Sequence, residues 1–180
     1  MPIVRGKTIE ILFTQEEIAR RNSELAKEIA SSEPDNPLVI AILKGSFVFA
    51  ADLIRAMHGA GISPEVEFIS ISSYGAGTEA GKPTILRDVE TDVKDRNLYI
   101  IDDILESGGT LAFTKNLMET RGAKSVSLIA MLDKPTKRKA DINADFVGFE
   151  CPDKFMVGYG MDVGHAFREL PYIGEVVGDA

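Results

Sequence analysis

The stretch LYIIDDILESGGTL, residues 98–111, changes character twice within a few turns of chain. An apolar run over 98–101 ends in Asp102 and Asp103, a short loop carries Glu106, Ser107, Gly108 and Gly109, and apolar residues resume after Thr110. A β-branched apolar run closed by turn residues and followed by helical spacing reads as strand, loop and helix. In open α/β sheets ligands sit beyond the carboxyl ends of the strands, so this strand end is where a site is expected.

The same alternation extends to either side. IEILF (9–13) reads as a strand, and Thr14 with Glu17 three residues on is a capping-box pattern. Behind it Ile18, Leu25 and Ile29 fall at helical spacing, and SSEPDNP (31–37) is a loop. LVIAILK (38–44) is continuously apolar, as a strand covered on both faces must be. GSFVFAADLIRAMHGAG (45–61) is a helix stopped by Gly59 and Gly61, VEFISISS (66–73) a strand, and YGAGTEAGKPT (74–84) a long glycine-rich loop. LAFTKNLMETRG (111–122) is a helix and SVSLIAML (125–132) a strand.

This order predicts an α/β fold with a central, mainly parallel sheet flanked by helices. After Asp133 the rhythm breaks. KPTKRKADINA (134–144) is polar and basic, and FVGFE, FMVGYGMD and YIGEVV read as short β segments. They are expected to form a small β-rich hood over about 134–180, on one domain spanning 1–180.

Composition narrows the function. With 44% hydrophobic and 27% charged residues, the chain is an ordinary globular protein. A net charge of −8 argues against a nucleic-acid surface. It leaves room for a small anionic ligand, since helix N-termini, a few lysines and metal ions make positive pockets in acidic proteins. The single Cys151 permits no internal disulfide and reads as an apolar filler. MPIVRGKTIEILFT has no apolar core of a secretory signal, and no run approaches a membrane span. A cytoplasmic protein is expected. His58 and His165 lie too far apart in sequence to point to zinc.

The loop itself suits a phosphate. Glycines let backbone amides approach a ligand, the helix N-terminus favours negative charge, and Ser107 and Thr110 add hydroxyls. The carboxylates would repel a phosphate but suit its neighbours, either sugar hydroxyls or a divalent cation. Walker A requires a lysine that is absent here, and the dinucleotide fingerprint places its acid about 20 residues after the glycines. A plain strand–helix turn with solvated acids also fits these residues.

IIDDILESGGTL resembles the phosphoribosyl-diphosphate signature of the type I phosphoribosyltransferases. LKGS (43–46), SSYG (72–75) and DFVGFECPDKFMVGYGMDVGHAFRELPYIG (145–174) resemble the hypoxanthine-type branch in order and spacing, so the likeness covers nearly the whole chain. It implies transfer of ribose phosphate from phosphoribosyl diphosphate to a 6-oxopurine such as hypoxanthine or guanine, releasing pyrophosphate, with Mg2+ as cofactor. It also implies a homodimer or homotetramer, with no nucleic acid or membrane as partner.

By the same resemblance Asp102 and Asp103 meet the ribose hydroxyls and metal, and Ser107, Gly108, Gly109 and Thr110 hold the 5′-phosphate. Glu106 is the purine-facing general base, where the family usually has aspartate; its extra methylene changes the reach by about 1.5 Å. Lys44, Gly45 and Arg168 face pyrophosphate, in a loop where the family often has a non-proline cis peptide. Ser73 and Tyr74 begin a mobile loop. Phe155 stacks on the purine, Met156 offers main-chain groups, and Asp162 is a second metal ligand. Asn143 stands where relatives commonly place a lysine that donates to the purine 6-oxygen, which leaves the choice among hypoxanthine, guanine and xanthine open, with hypoxanthine favoured. Two other readings stand beside this one: a regulator of the same fold that binds RNA, and a transferase for another base.

Overall fold

A computed structural model describes residues 1–72 and 83–179. In chain order the elements are β1 (Ile3–Val4), β2 (Lys7–Phe13), α1 (Gln15–Ala30), β3 (Pro37–Leu43), α2 (Phe47–Gly59), β4 (Glu65–Ser72), β5 (Thr84–Arg87), β6 (Asn97–Leu105), α3 (Gly109–Thr120), β7 (Ser125–Asp133), β8 (Phe146–Glu150), β9 (Met156–Val157) and β10 (Ile173–Asp179). The capping box forms: Thr14 N–H donates to the Glu17 carboxylate at 2.8 Å, and Glu17 N–H donates to Thr14 Oγ1 at 3.3 Å.

The main sheet runs β5-β4-β3-β6-β7-β8. All its pairings are parallel except that of β5 with β4. Strand periodicity sorts the core into two layers. Val39, Ala41, Ile101 and Ile129 pack with Ile18, Leu25 and Leu53 of α1 and α2. Leu38, Ile40, Leu98, Ile100 and Leu128 face the other way, onto Leu111 and Met118 of α3. Both faces are therefore dry, which is why β3 and the first half of β6 carry no polar alternation.

Three details depart from the sequence reading. First, β6 continues past both aspartates, pairing Asp102 with Ala130 and Leu105 with Asp133, so the acids belong to the strand end and not to the loop after it. Second, the hood is not built largely from 134–180. It is the antiparallel sheet β1-β2-β10-β9, half of it N-terminal, with Ile9 opposite Val176. Third, FVGFE leaves the hood altogether and becomes β8, the edge of the main sheet beside β7. The sequence reading also ran its loop through Thr84, where β5 begins.

The reason for the placement of β8 is visible in its neighbours. Arg21 of α1 reaches across to donate to the carbonyls of Val147 at 2.8 Å and Gly148 at 2.9 Å. Gly148 packs so closely on β7 that a Cβ there would lie 2.4 Å from the Met131 carbonyl oxygen. Only glycine allows that approach. Gly148→Ala is expected to lower stability by about 1–3 kcal/mol, the usual range for overpacking, read as a reduced denaturant midpoint with an unchanged slope.

Candidate active site

The carboxyl end of β6 and the N-terminus of α3 enclose a small cup of about 160 Å3, lined by Asp102, Glu106, Ser107, Gly108 and Thr110 among others. Gly108 sits at φ +83°, a conformation that favours glycine, and α3 starts immediately after it without a side-chain cap. The Ser107 hydroxyl lies 3.5 Å from the Gly109 amide. Thr110 and Leu111 of the first helical turn line the cup, and a helix N-terminus is a place that attracts anions.

The cup is backed by the connection between β7 and β8. The guanidinium of Arg138 donates to the carbonyls of Glu106 (3.1 Å), Leu105 (3.4 Å) and Ile142, and pairs with Asp133. The amides of Lys139 and Ala140 both donate to the Ser107 carbonyl at 3.0 Å. The sequence favours a solvated basic turn at Lys137, Arg138 and Lys139. The structure makes Arg138 a clamp under the loop, while Lys137 pairs with Asp153 at 2.9 Å.

Asp102 is buried, and its carboxylate accepts the Asp103 amide at 3.0 Å. Burial, then the charge of Asp103, pushes the Asp102 carboxyl well above its ordinary value of 3.8. Burial also raises Asp103, partly offset by the Asp102 side chain beside it, then by the Ile104 amide it accepts and the charge of Arg168. Among the described residues, no lysine or arginine forms an ion pair with either acid.

Two other loops close on this pair. A Cβ at Gly45 would fall 1.8 Å from Asp103 Oδ2, and one at Gly160 would fall 2.3 Å from the Gly45 carbonyl oxygen. The Leu43–Lys44 peptide is cis, and Lys44 is exposed beside it. Arg168 donates to the Gly160 carbonyl at 2.6 Å and pairs with Asp162 at 2.8 Å. Asp162 also accepts the His165 amide at 2.7 Å.

A second cavity, about 270 Å3, opens beside the first. It brings together Asp103, Glu106, Phe155, Met156 and Asp162, residues separated by up to 59 positions in the chain, and adds Ile104 and Lys134. Phe155 is 63% exposed, unusual for a large aromatic side chain, so its ring is available to a flat ligand.

Lys134, which the sequence reading missed, is 4% exposed. Its ammonium donates to the Lys154 carbonyl at 2.6 Å and lies 3.6 Å from Glu106 Oε1. Its one sequence signal was its position directly after the buried strand β7. Asn143 lies elsewhere: it is exposed, 3.4 Å from the Arg138 guanidinium, and does not line this cavity. Ser73 and Tyr74 fall outside the described residues. Cys151 is buried, its thiol pushed up to about 11 by that burial, in keeping with an inert filler.

No group of three or more His, Cys, Asp or Glu side chains converges as a metal cage among the described residues. That suits Mg2+, which takes one or two carboxylates and completes its shell with water and substrate phosphate oxygens. Asp102, buried, and Asp103, half-buried, neither paired with a cation among the described residues, are carboxylates of the kind it takes.

A strand-end acid pair, a cup at a helix N-terminus and a cleft carrying an exposed aromatic ring thus meet at one edge of the sheet. The chain belongs to the phosphoribosyltransferase family: the phosphoribosyl transferase domain matches residues 8–163. Within that family it is 46% identical over 167 residues to the hypoxanthine-guanine phosphoribosyltransferase of Bacillus subtilis (strain 168), covering 92% of this chain and 91% of that protein. A crystal structure of a hypoxanthine-guanine phosphoribosyltransferase from Bacillus anthracis is 42% identical with a TM-score of 0.87, covering 93% of this chain and 98% of that one. The Trypanosoma cruzi hypoxanthine phosphoribosyltransferase, in complex with the product IMP, is 33% identical with a TM-score of 0.89, covering 98% and 97%. No helix among the described residues is long and apolar enough to cross a membrane.

The raised Asp102 carboxyl makes a signed prediction. Folding favours its protonated form, so that contribution to stability is full below 3.8 and is lost as pH rises through the folded value. Asp102→Asn keeps the shape and removes the buried charge. The ligand-free variant should be more stable than its parent at neutral pH by about 1–3 kcal/mol. The gap in melting temperature should shrink as pH falls toward 3.8.

Proposed function

We propose that this protein is a purine-salvage enzyme that moves the 5-phosphoribosyl group from phosphoribosyl diphosphate to hypoxanthine, and to guanine as a second base, releasing pyrophosphate. The observation that carries this reading is the two-chambered cleft. An amide-lined cup and a flat-ligand cavity share Ile104 and Glu106, with the two acids of β6 between them.

In the reaction the bond from the ribose anomeric carbon to pyrophosphate breaks, and a bond to a purine ring nitrogen forms. Charge grows positive on the sugar and negative on the leaving group, so positioning and electrostatics dominate. Ser107, Gly108, Gly109 and Thr110 hold the 5′-phosphate. Asp102 and Asp103 accept from the ribose hydroxyls, and their negative charge stabilises the cation-like sugar. Mg2+, held by these acids and by Asp162 directly or through water, would neutralise charge on the departing pyrophosphate. Lys44, the Gly45 amide and Arg168 hold pyrophosphate, the last through a planar fork matched to phosphate oxygens.

On the base side Phe155 and Ile104 sandwich the purine, and Met156 contributes main-chain groups. Glu106 takes the proton from the ring nitrogen. The donor to the 6-oxygen is Lys134, in place of the Asn143 that spacing indicates, because Lys134 alone of the two reaches the cavity. A 6-oxygen is common to hypoxanthine and guanine, and this donor serves both. Residues 1–180 act as one domain, in the cytoplasm, as a homodimer or homotetramer.

Protein incubated with Mg2+, phosphoribosyl diphosphate and each 6-oxopurine should change the ultraviolet absorbance of the base, hypoxanthine fastest, and chelation should stop it. Silence with all of them would remove the reading, and salt-sensitive RNA binding instead would favour the regulator. Glu106→Gln should lower kcat by about 10²–10⁴-fold, the worth of a general base. Lys134→Met should raise the purine KM by roughly 10–100-fold, as expected for losing a charged donor, with the KM for phosphoribosyl diphosphate unmoved.

A further inference from the structure

Three successive residues, Gly158, Tyr159 and Gly160, have φ of +92°, +50° and +99°. Both glycines are forced by contact: a Cβ on Gly158 would meet the Tyr172 carbonyl oxygen at 2.1 Å, and one on Gly160 the Gly45 carbonyl oxygen at 2.3 Å. Tyr159 has a side chain and takes the left-handed conformation all the same, which is strained for such a residue. Something outside the turn must hold it there.

The Tyr159 side chain is 4% exposed and points away from the cleft, between two helices. Its hydroxyl accepts from Asn22 Nδ2 of α1 at 2.7 Å and donates to Asp52 Oδ2 of α2 at 2.8 Å. Arg55 in turn pairs with Asp52. The ring packs in the core layer with α1 and α2, yet that packing is open on one side. A cavity of about 670 Å3 lies against it, walled also by Asn22, Asp52 and Arg168, and its nearest aromatic neighbour, Phe49, is tilted with centroids 6.5 Å apart. The two hydrogen bonds fix its hydroxyl between the two helices.

The backbone of the same turn touches the opposite side. Gly160 abuts Gly45, which abuts Asp103, and the Gly160 carbonyl accepts from Arg168. We infer that Tyr159 is a positioning residue for the pyrophosphate end of the site: its hydroxyl, clamped between α1 and α2, sets the turn against which Gly45 and Arg168 are aligned. The inference rests on the reading of Lys44, Gly45 and Arg168 as the pyrophosphate contacts. It adds residues remote from the cleft, Asn22 and Asp52, to the determinants of phosphoribosyl diphosphate affinity.

The test is a split between the two substrates. Tyr159→Phe should raise the KM for phosphoribosyl diphosphate about tenfold, and weaken magnesium pyrophosphate binding by calorimetry about as much, as expected for losing one buried hydrogen-bonding group. The purine KM should stay within about twofold. Asp52→Ala, which leaves the ring and the Asn22 bond in place, should move the same constants in the same direction by about threefold. Tyr99→Phe is the control: that buried hydroxyl contacts Ser32 Oγ at 3.3 Å, near the amino end of β6, and its loss should lower melting temperature without separating the two KM values.

Equal rises in both KM values for Tyr159→Phe, or a loss of melting temperature alone, would overturn the inference while an active parent left the functional reading intact. If Tyr159→Phe fails to fold, Asp52→Ala decides on the same split, and its absence there is equally fatal. A parent inactive with every 6-oxopurine would remove the functional reading and this inference with it.

Discussion

Two carboxylates near the carboxyl end of β6, Asp102 buried and Asp103 half-buried, with no cation paired to them among the described residues, are the constraint around which the molecule is arranged. Burial raises both, and the charge of Asp103 makes Asp102 harder still to ionise. Such a pair is unfavourable for the fold on its own account. It persists because β6 is held between β3 and β7, both buried, and because the Gly45 backbone presses against Asp103 from the neighbouring loop. A ligand that binds the folded protein through these acids restores part of the stability lost there.

Around that pair the site divides by sequence distance. The phosphate cup is local, made where β6 turns into α3 and braced by Arg138 from the next connection. The larger cavity of the site is assembled from far apart: Ile104 and Glu106 from β6 and its loop, Lys134 after β7, Phe155 just before the hood and Met156 on its strand β9. The link between α1, α2 and the turn at Tyr159 reaches the third corner, at Gly45 and Arg168. An acidic protein of net charge −8 thus gathers Lys44, Lys134, Arg138 and Arg168 at one edge of its sheet.

How much of this was legible in the sequence follows the same division. Doubly buried parallel strands are continuous apolar runs, and the capping box at Thr14 is a local signal, so the alternation from β2 to β7 could be read directly. The glycines and hydroxyls of 107–110 could be read because a phosphate loop is built from consecutive residues. The hood could not, since nothing local tells Ile9 that its partner is Val176. Lys134 and Arg138 were hidden for a related reason. In a basic stretch each looks solvated, and only the folding back of residues 134–145 under the loop at 105–107 buries them. Asn143 looked well placed by its spacing before DFVGF, but that same fold turns it outward.

The antiparallel hood has a consequence for how the molecule comes apart. Its central pairing, β2 with β10, joins the two ends of a very long loop of chain, whereas β6, α3 and β7 are consecutive. Contacts of such wide separation close late and reopen early, because they must hold the intervening chain's entropy in check. Lys154, before β9, is tied to Glu10 and Glu175 on those two hood strands, and its carbonyl is the anchor of the Lys134 ammonium. Warming or mild denaturant should therefore loosen the larger cavity of the site, at Lys134 and Lys154, before the cup at the start of α3.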